Sequence, residues 1–343
     1  MINAIKSKIT RQRAILTIVI LVTITAFWSI MGSLIHINNS NKIVNNYLLQ
    51  SQSITAQFLN AATAYTLKSI ASPTCVQPAS MDFIAHEDDD ILFMNPDLLH
   101  DIQAGNCVRT VYLTAGDDGR DRSYWLSRQK GIEEAYDSML GKTGEAWEEQ
   151  VIKLPGGQLA TIANPAGNSK ILLIFLHLPD GNLRGTGFPR TSNQSLGKLY
   201  SGNIATLQTV DKSSSYSSDQ LIQALTNLMQ TFKPTNIRSL SSSAGIRYQD
   251  HSDHTNVARF TAKAYDAYIK QLAGLAKIPP ITYYLGYIIR ELPANLSSGD
   301  VDQKTRAFLA YGAFDSASCH KIMLCYTQAI YGSYLKRQYT NPY

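Results

Sequence analysis

Short apolar runs alternate with helical patterns along most of the chain, and this alternation is the strongest constraint on its fold. The predicted strands are residues 81–85, 107–114, 170–178, 236–240 and 281–289, and the predicted helices are residues 91–104, 124–140, 218–232 and 256–275. Alternation of this kind is typical of a parallel sheet covered by helices. We therefore predict a Rossmann-like α/β fold with a mostly parallel sheet, in which ligands bind beyond the carboxyl ends of the strands.

We expect one large folded domain over most of the chain, although its length also allows two small ones. Its 343 residues are 44% hydrophobic and 17% charged, which is ordinary for a domain with a buried core. Residues 141–167 and 179–217 are rich in Gly, Ser, Asn and Pro, and we expect hairpins and long surface loops there. The net charge of +5 is modest, and no basic stripe indicates nucleic acid as a partner.

An apolar run without a charged residue, residues 14–35, precedes this domain. It slightly exceeds the ~20 residues that a helix needs to cross a bilayer. A cleaved signal peptide is the alternative, although its apolar core is normally only about 7–15 residues long. Four Lys or Arg residues precede the run, and Lys42 is the only one between the run and residue 67. The positive-inside rule then places the N-terminus in the cytoplasm.

The resulting organisation is a cytoplasmic basic tail at 1–13, a transmembrane anchor at 14–37, a stalk or first helix at 38–77 and a single folded domain at 78–343. The folded domain is expected on the periplasmic, extracellular or lumenal side of the membrane. Its four cysteines, Cys75, Cys107, Cys319 and Cys325, are an even number that such an oxidising compartment allows to pair. The favoured connectivity is Cys75–Cys107 and Cys319–Cys325, and buried free thiols are the alternative.

Two clusters of histidine and acidic residues each follow a predicted strand. The first is His-Glu-Asp-Asp-Asp at 86–90 and the second is Asp-His-Ser-Asp-His at 250–254. An acidic run alone is most simply a solvated turn, but a parallel sheet would bring both clusters to the same edge. Two histidines and a carboxylate suit a zinc ion with an open position for water, and non-haem iron uses the same residue types. The additional carboxylate between the ligands favours hydrolysis, because it can accept a proton from the attacking water.

Both clusters resemble the motifs of one known family. Residues 85–90, AHEDDD, resemble the AHPDDE signature of the PIG-L/LmbE-like zinc N-deacetylases, and residues 251–254, HSDH, resemble their later HPDH motif. Residues 108–119 and 124–141 are similar to the family's second strand, loop and following helix. The chain departs from the signature where Glu87 replaces Pro and Asp90 replaces Glu. Loss of the proline frees a backbone angle but leaves the His and Asp spacing intact.

The resemblance extends over about residues 78–335. Residues 176–188 and 300–316 are similar to segments of a subgroup with larger loops. For the metal, the resemblance implies zinc bound by His86, Asp89 and His254, with Asp88 as the general base.

The resemblance also assigns a role to the second motif. His251 would polarise or protonate near the tetrahedral intermediate. Asp253 would orient His251 through a carboxylate–imidazole hydrogen bond and raise the pKa of His251, favouring the imidazolium.

Three further residues are candidates for substrate contact. Asp117 and Asp118 lie in a Gly-flanked loop after a predicted strand, where the family places substrate-facing groups, although a plain Asp-Gly turn explains them equally well. Arg128 either contacts substrate or pairs with Glu133 on its own helix. Asp180, in LPDG, has two equally good explanations, as a functional residue or as a turn residue.

The function that follows is removal of the N-acetyl group from an N-acetylglucosamine-containing glycan or glycolipid. The expected partners are this amino-sugar substrate and the membrane, and the sequence does not indicate an oligomeric state. The alternatives are a catalytically silent sugar-binding module, an O-deacetylase and a non-haem iron enzyme with the same ligands.

Overall fold

The computed structural model describes residues 65–66, 79–243, 250–272, 277–319 and 331–341. All of them belong to one compact unit. The predicted tail, the anchor and nearly all of the stalk lie outside the described residues. Among the residues that are described, no helix is both long and apolar enough to cross a membrane.

Eleven described strands form two sheets. They are β1 (Tyr65–Thr66), β2 (Ala79–Ile84), β3 (Cys107–Thr114), β4 (Trp147–Lys153), β5 (Leu159–Pro165), β6 (Ile171–Leu178), β7 (Leu207–Gln208), β8 (Ser215–Tyr216), β9 (Asn236–Leu240), β10 (Ile281–Tyr284) and β11 (Thr340–Asn341). The main sheet has the order β1-β4-β5-β6-β3-β2-β9-β10-β11, and β7 pairs with β8. The five central strands, β6, β3, β2, β9 and β10, are parallel to one another. At the two sides, β5 pairs antiparallel with β4 and β6, and β11 pairs antiparallel with β10.

The described helices are α1 (Asp97–Gln103), α2 (Arg122–Met139), α3 (Leu196–Tyr200), α4 (Ser218–Phe232), α5 (Ser252–Leu272), α6 (Ser298–Gly312) and α7 (Tyr331–Tyr334). A π-helical turn, Asp90–Met94, and two 3-10 turns, Pro189–Thr191 and Tyr287–Glu291, complete the regular structure. α4 packs against α5, which also contacts β2 and β9, and α2 packs against α6. A Cβ atom at Gly131 of α2 would lie 2.8 Å from the Tyr311 carbonyl oxygen of α6, so glycine permits this close approach.

The sequence explains why these elements form where they do. β2, β3 and β6 are buried along their whole length, as expected for parallel strands covered on both faces. Asp121 accepts hydrogen bonds from the backbone N–H groups of Ser123 and Tyr124 at the start of α2. Ser217 and Gln220 form a reciprocal capping box at the start of α4. These caps fix the first turns of two helices that cover the sheet.

The predicted mostly parallel α/β fold is confirmed, with differences at some elements. The predicted strand at 281–289 is wrong in its second half, because the chain leaves the sheet after β10 and forms a 3-10 turn. The predicted helix at 91–104 is instead a π-helical turn followed by α1. Pro96, which has no backbone N–H, lies between them. α6 was not among the predicted helices, and the hairpin expected within 141–167 is β4 and β5.

The described cysteines are oxidised. Cys107 and Cys319 are each disulfide-bonded, so the alternative of free thiols is wrong for both. The partners expected for them, Cys75 and Cys325, lie outside the described residues, and the predicted connectivity stays a prediction.

Candidate metal centre

The two clusters meet at the carboxyl end of the parallel strands. β2 ends two residues before His86, and its neighbour β9 leads towards the segment that begins with Asp250. The Ala85 carbonyl accepts hydrogen bonds from the backbone N–H of Thr114 at 3.1 Å and from the Thr114 hydroxyl at 2.7 Å. The end of β3 therefore holds the residue that precedes His86. This position agrees with the rule that ligands bind where parallel strands end.

His86, Asp89 and His254 converge as the sequence predicts. Asp89 Oδ2 lies 3.0 Å from His86 Nδ1, and Asp89 Oδ1 lies 3.0 Å from His254 Nε2. All three residues are buried, and one possible ligand atom from each falls within 4.8 Å of the others. The Asp89 carboxylate also accepts the His86 backbone N–H at 2.8 Å, which closes the turn on itself. Three donors thus face a common point.

The donors fit a zinc ion. His254 Nδ1 lies 2.9 Å from Asp250 Oδ1, so Nδ1 carries the proton and Nε2 presents its lone pair. Asp89 Oδ1 is 3.0 Å from His254 Nε2, but this nitrogen forms no hydrogen bond within the described residues, and an unsatisfied buried nitrogen is costly. A tetrahedral zinc with two imidazoles, one carboxylate and an open position would satisfy it.

Electrostatics also favours a cation at this point. Burial alone would lower the pKa of His254, but the carboxylates of Asp89 and Asp250 overcome this effect and raise it to about 10. Burial alone would raise the pKa of Asp89, but His254 and His86 hold it well below its usual value. A positive charge at this point is therefore stabilised by the surrounding carboxylates. A bound metal ion would provide that charge in place of protons on the histidines.

Asp250 also belongs to this cluster, although the sequence motifs assign it no role. Its Oδ1 faces His254 Nδ1 and accepts the backbone N–H groups of His251 at 2.9 Å and Tyr287 at 3.3 Å. A Cβ atom on Gly286 would collide with its carboxylate. A carboxylate behind a metal-binding histidine fixes the ring orientation and the tautomer. The spacing of four residues between Asp250 and His254 was the signal available in the sequence.

Asp88 lies in the same turn as His86 and Asp89. Its side chain is 15% exposed, and Oδ1 accepts a hydrogen bond from Arg128 Nη2 at 2.8 Å. Burial raises the pKa of Asp88 to about 6, against the opposing charge of Arg128. A carboxylate whose pKa lies near neutrality suits the role of general base.

His251 lies beside the ligands, but Asp253 does not hold it as expected. The His251 ring centroid is 4.6 Å from that of His86. Asp253 Oδ2 is 3.7 Å from His251 Nδ1, which is too long for a hydrogen bond. The backbone N–H of Asp253 donates to that nitrogen instead, at 3.2 Å. The Asp253 carboxylate accepts the Gly181 N–H at 2.7 Å.

The predicted rise in the pKa of His251 is therefore corrected. Burial and the nearby charge of His86 lower the pKa of His251 to about 4. The ring is neutral, and because Nδ1 is an acceptor, the proton is on Nε2. His251 is thus arranged as a neutral hydrogen-bond donor.

Asp180, which the sequence left open as a turn residue, also reaches the site. Its carboxylate oxygens lie 3.7 Å from His86 Nε2 and 3.7 Å from His251 Nε2. The strand before it, β6, is parallel to β3, so its carboxyl end meets the same edge. For Asp117 and Asp118, substrate contact stays a prediction, and the structure gives only their contacts within the protein. Asp117 is buried and accepts the backbone N–H groups of Asp180 and Gly119, and Asp118 is exposed in an ion pair with Arg120 at 3.2 Å.

Arg128 is buried at the site, and the alternative that it pairs with Glu133 is wrong. Its nearest acid is Asp88, whereas Glu133 pairs with Lys130 at 3.3 Å. A neighbour five residues away on the same helix does not face Arg128.

A mostly parallel α/β sheet with a buried His-Asp-His set at its carboxyl edge defines a protein of the α/β class with a site that could hold a metal ion. Residues 81–265 match the family described as GlcNAc-PI de-N-acetylase, PIG-L. The chain belongs to this family. The resemblance drawn from the two sequence motifs is thereby confirmed.

Several solved structures are similar to this chain at low sequence identity. The N,N'-diacetylchitobiose deacetylase from Pyrococcus horikoshii is 13% identical over 72% of this chain and 76% of its own, with a TM-score of 0.39. The zinc-inhibited form of teicoplanin deacetylase Orf2 is 14% identical over 75% and 90%, with a TM-score of 0.38. The 4-carboxy-2-hydroxymuconate hydratase GalB from Pseudomonas putida is 12% identical over 75% and 83%, with a TM-score of 0.41. A search of curated proteins found no match.

Proposed function

We propose that this chain is a membrane-anchored, zinc-dependent hydrolase that removes the N-acetyl group from an N-acetylglucosamine-containing glycan or glycolipid. The observation that carries the proposal is the buried set of His86, Asp89 and His254 with the carboxylate of Asp88 in the same turn. Membership of the GlcNAc-PI de-N-acetylase family supports the choice of an amide substrate.

The residues at the site have complementary roles in such a reaction. A zinc ion held by His86, Asp89 and His254 would polarise the acetamide carbonyl and lower the pKa of a water molecule to about 7. Asp88 accepts the proton of the attacking water and passes it to the leaving amine, which must be protonated before the C–N bond breaks. The products are acetate and a free amino sugar.

His251 supports the charge that develops on the carbonyl oxygen. Its Nδ1 is occupied by the Asp253 backbone N–H, so its Nε2–H is directed elsewhere and can donate to the oxygen. A donor fixed in place before the reaction stabilises developing negative charge without reorganisation. Asp253 acts through its backbone here, and its carboxylate fixes the loop at Gly181.

The location of the domain outside the cytoplasm is part of the proposal. It rests on the apolar run at 14–35 and the basic residues before it. The disulfide bonds of Cys107 and Cys319 support an oxidising compartment. A reporter fused after Tyr343 should be active only outside the cytoplasm, and activity confined to the cytoplasm would contradict this orientation.

The central experiment measures acetate release by the purified full-length chain from a panel of N-acetylhexosamine glycans and glycolipids. We expect release from members that contain N-acetylglucosamine, loss of release with a zinc chelator and recovery when zinc is added. Release only from ester-linked acetyl groups would replace the proposal with an O-deacetylase. Because two histidines and a carboxylate also bind non-haem iron, elemental analysis and an oxygen-consumption assay separate that alternative.

A further inference from the structure

Arg128 is held from several sides. Arg128 is only 6% exposed, and all three of its guanidinium nitrogens donate hydrogen bonds to protein acceptors. Nε donates to the Tyr311 hydroxyl at 2.6 Å, Nη1 donates to the Gly116 carbonyl oxygen, and Nη2 donates to Asp88 Oδ1 at 2.8 Å. A planar fork of donors in these positions fixes the orientation of each acceptor that it binds.

A second set of contacts fixes the tyrosine that holds Arg128. The Tyr311 hydroxyl donates to Asp315 Oδ2 at 2.6 Å, and the Tyr124 hydroxyl donates to Asp315 Oδ1 at 3.0 Å. Asp315 Oδ2 also lies 3.4 Å from Arg128 Nε. Burial alone would lower the pKa of Arg128, but Tyr311, Asp88 and Asp315 raise it well above its usual value. The guanidinium therefore stays charged in its buried position.

The backbone at Gly116 closes the remaining side. A Cβ atom there would collide with Arg128 Nη1, and it would lie 2.5 Å from Glu87 Oε2. Gly116 also has a φ of +50°, a conformation that glycine adopts without strain. Arg128 is thus enclosed by protein, and its hydrogen bonds run to Asp88, Gly116 and Tyr311.

We propose that Arg128 is a positioning residue for the general base Asp88, and that Tyr311 and Asp315 hold the Arg128 guanidinium in place for this purpose. The inference rests on the proposed function and replaces substrate contact as the role of Arg128. Arg128 engages Oδ1 of Asp88, which leaves Oδ2 to accept the proton from water. Without this contact the carboxylate can rotate away from the reacting water, and a misplaced catalytic group lowers the rate of the chemical step.

The two roles of an arginine have different kinetic signatures. An arginine that binds substrate equally in the ground state and the transition state affects KM, whereas one that positions the base affects kcat. A lysine at position 128 would keep the charge, but its ammonium is a single point that cannot hold three acceptors in a plane. Arg128→Lys should therefore rescue only part of the loss caused by Arg128→Gln.

The test measures kcat and KM of the zinc-loaded full-length chain with the best substrate from the acetate-release panel. We expect Arg128→Gln to lower kcat ~10²-fold with KM within ~2-fold of wild type, and Tyr311→Phe to lower kcat ~3–10-fold. Tyr216→Phe is the matched control, because Tyr216 is also a buried tyrosine and its hydroxyl donates to the Leu159 carbonyl oxygen instead of to Asp315. This control should leave both constants unchanged.

A double-mutant cycle with Asp88→Asn completes the test. If Arg128 acts through Asp88, Arg128→Gln should cause little further loss in the Asp88→Asn background. Independent, multiplicative losses would overturn the inference, as would a rise in KM with kcat unchanged. Where Arg128→Gln does not fold, Tyr311→Phe provides the same cycle. An inactive zinc-loaded wild type refutes the proposed function itself, whereas an active wild type with unaffected variants refutes only the role of Arg128.

Discussion

Two groups of buried charged and ionisable side chains lie along β2 and β9, one layer within the strands and one layer beyond their carboxyl ends. The two layers differ in whether a protein cation balances the charge of the buried carboxylates. Within the strands, Asp82 of β2 is the register partner of Arg238 of β9, and their side chains lie 3.6 Å apart. Beyond the strand ends, His86 and Asp89 meet His254. Both layers contain buried polar atoms that have no hydrogen-bond partner among the described residues.

The difference teaches that unsatisfied buried atoms alone do not mark a metal centre. The layer within the strands contains its own cation, Arg238, which lies near Asp82 and also pairs with Asp101 at 2.5 Å. The layer at the strand ends has carboxylates and imidazoles, which can all be metal ligands. The first layer is therefore a candidate for stability alone, and the second is a candidate for function. The following predictions test this division.

The largest effect is expected for His254. Replacing it with Ala should abolish zinc binding and activity together, because three protein ligands are needed to hold a catalytic zinc. Asp82→Asn, in the layer within the strands, should keep zinc and activity. Elemental analysis of the two purified variants checks both results. Stoichiometric zinc in His254→Ala would show that the ligand assignment is wrong.

Asp88→Asn should separate zinc binding from catalysis. The amide keeps the shape of the side chain but cannot accept the proton of water, so we expect a loss of ~10²–10⁴-fold in kcat with zinc still bound. Turnover and zinc content of the same preparation are the measurements. Near wild-type turnover with bound zinc would remove Asp88 from the mechanism.

Asp250→Asn should weaken zinc binding without removing a ligand. A residue behind a metal-binding histidine typically contributes ~10–100-fold to affinity, and we expect a loss of this size in a competition titration with a chelator. Asp266→Asn is the matched control, since Asp266 is exposed on α5. Equal zinc affinity in the two variants would exclude a role for Asp250 at the centre.

The smallest effect is a dependence of stability on pH that arises from Asp82. Burial raises the pKa of Asp82 from 3.8 to about 6. The folded protein then binds more protons than the unfolded chain between these values, so the free energy of unfolding falls as the pH rises from 4 to 6. Asp82→Asn should flatten this part of the profile relative to wild type. Parallel profiles in denaturant unfolding would contradict the assignment.

The sequence predicted the parts of the molecule that depend on local patterns. β3, β9 and α4 have the predicted bounds, because their apolar periodicity and flanking residues are local signals. The order of strands and ligand motifs likewise brought His86, Asp89 and His254 to one edge. The division of residues 90–103 into a π-helical turn and α1 could not be foreseen from periodicity alone.

Residues that act through tertiary contacts could not be assigned from the sequence. Asp180 reaches His86 and His251 only because β6 ends at the same edge as β2. The reversal of the predicted pKa shift of His251 has a similar origin, since burial and a backbone N–H decide it. Sequence motifs give residue types and spacing, but the desolvation and hydrogen-bond direction that set protonation come from the packed fold.

The contact between Arg128 and Tyr311 has a consequence for synthesis of the chain. The two residues are 183 positions apart, and Tyr311 lies well beyond the matched family region at 81–265. A polypeptide emerges from the ribosome N-terminus first, so Asp88, Arg128 and the proposed zinc ligands are all synthesised before Tyr311. A nascent chain that has stalled before residue 311 would contain every proposed zinc ligand but would lack the tyrosine that contacts Arg128. If Arg128 positions Asp88 as proposed, this support forms only after Tyr311 has been synthesised.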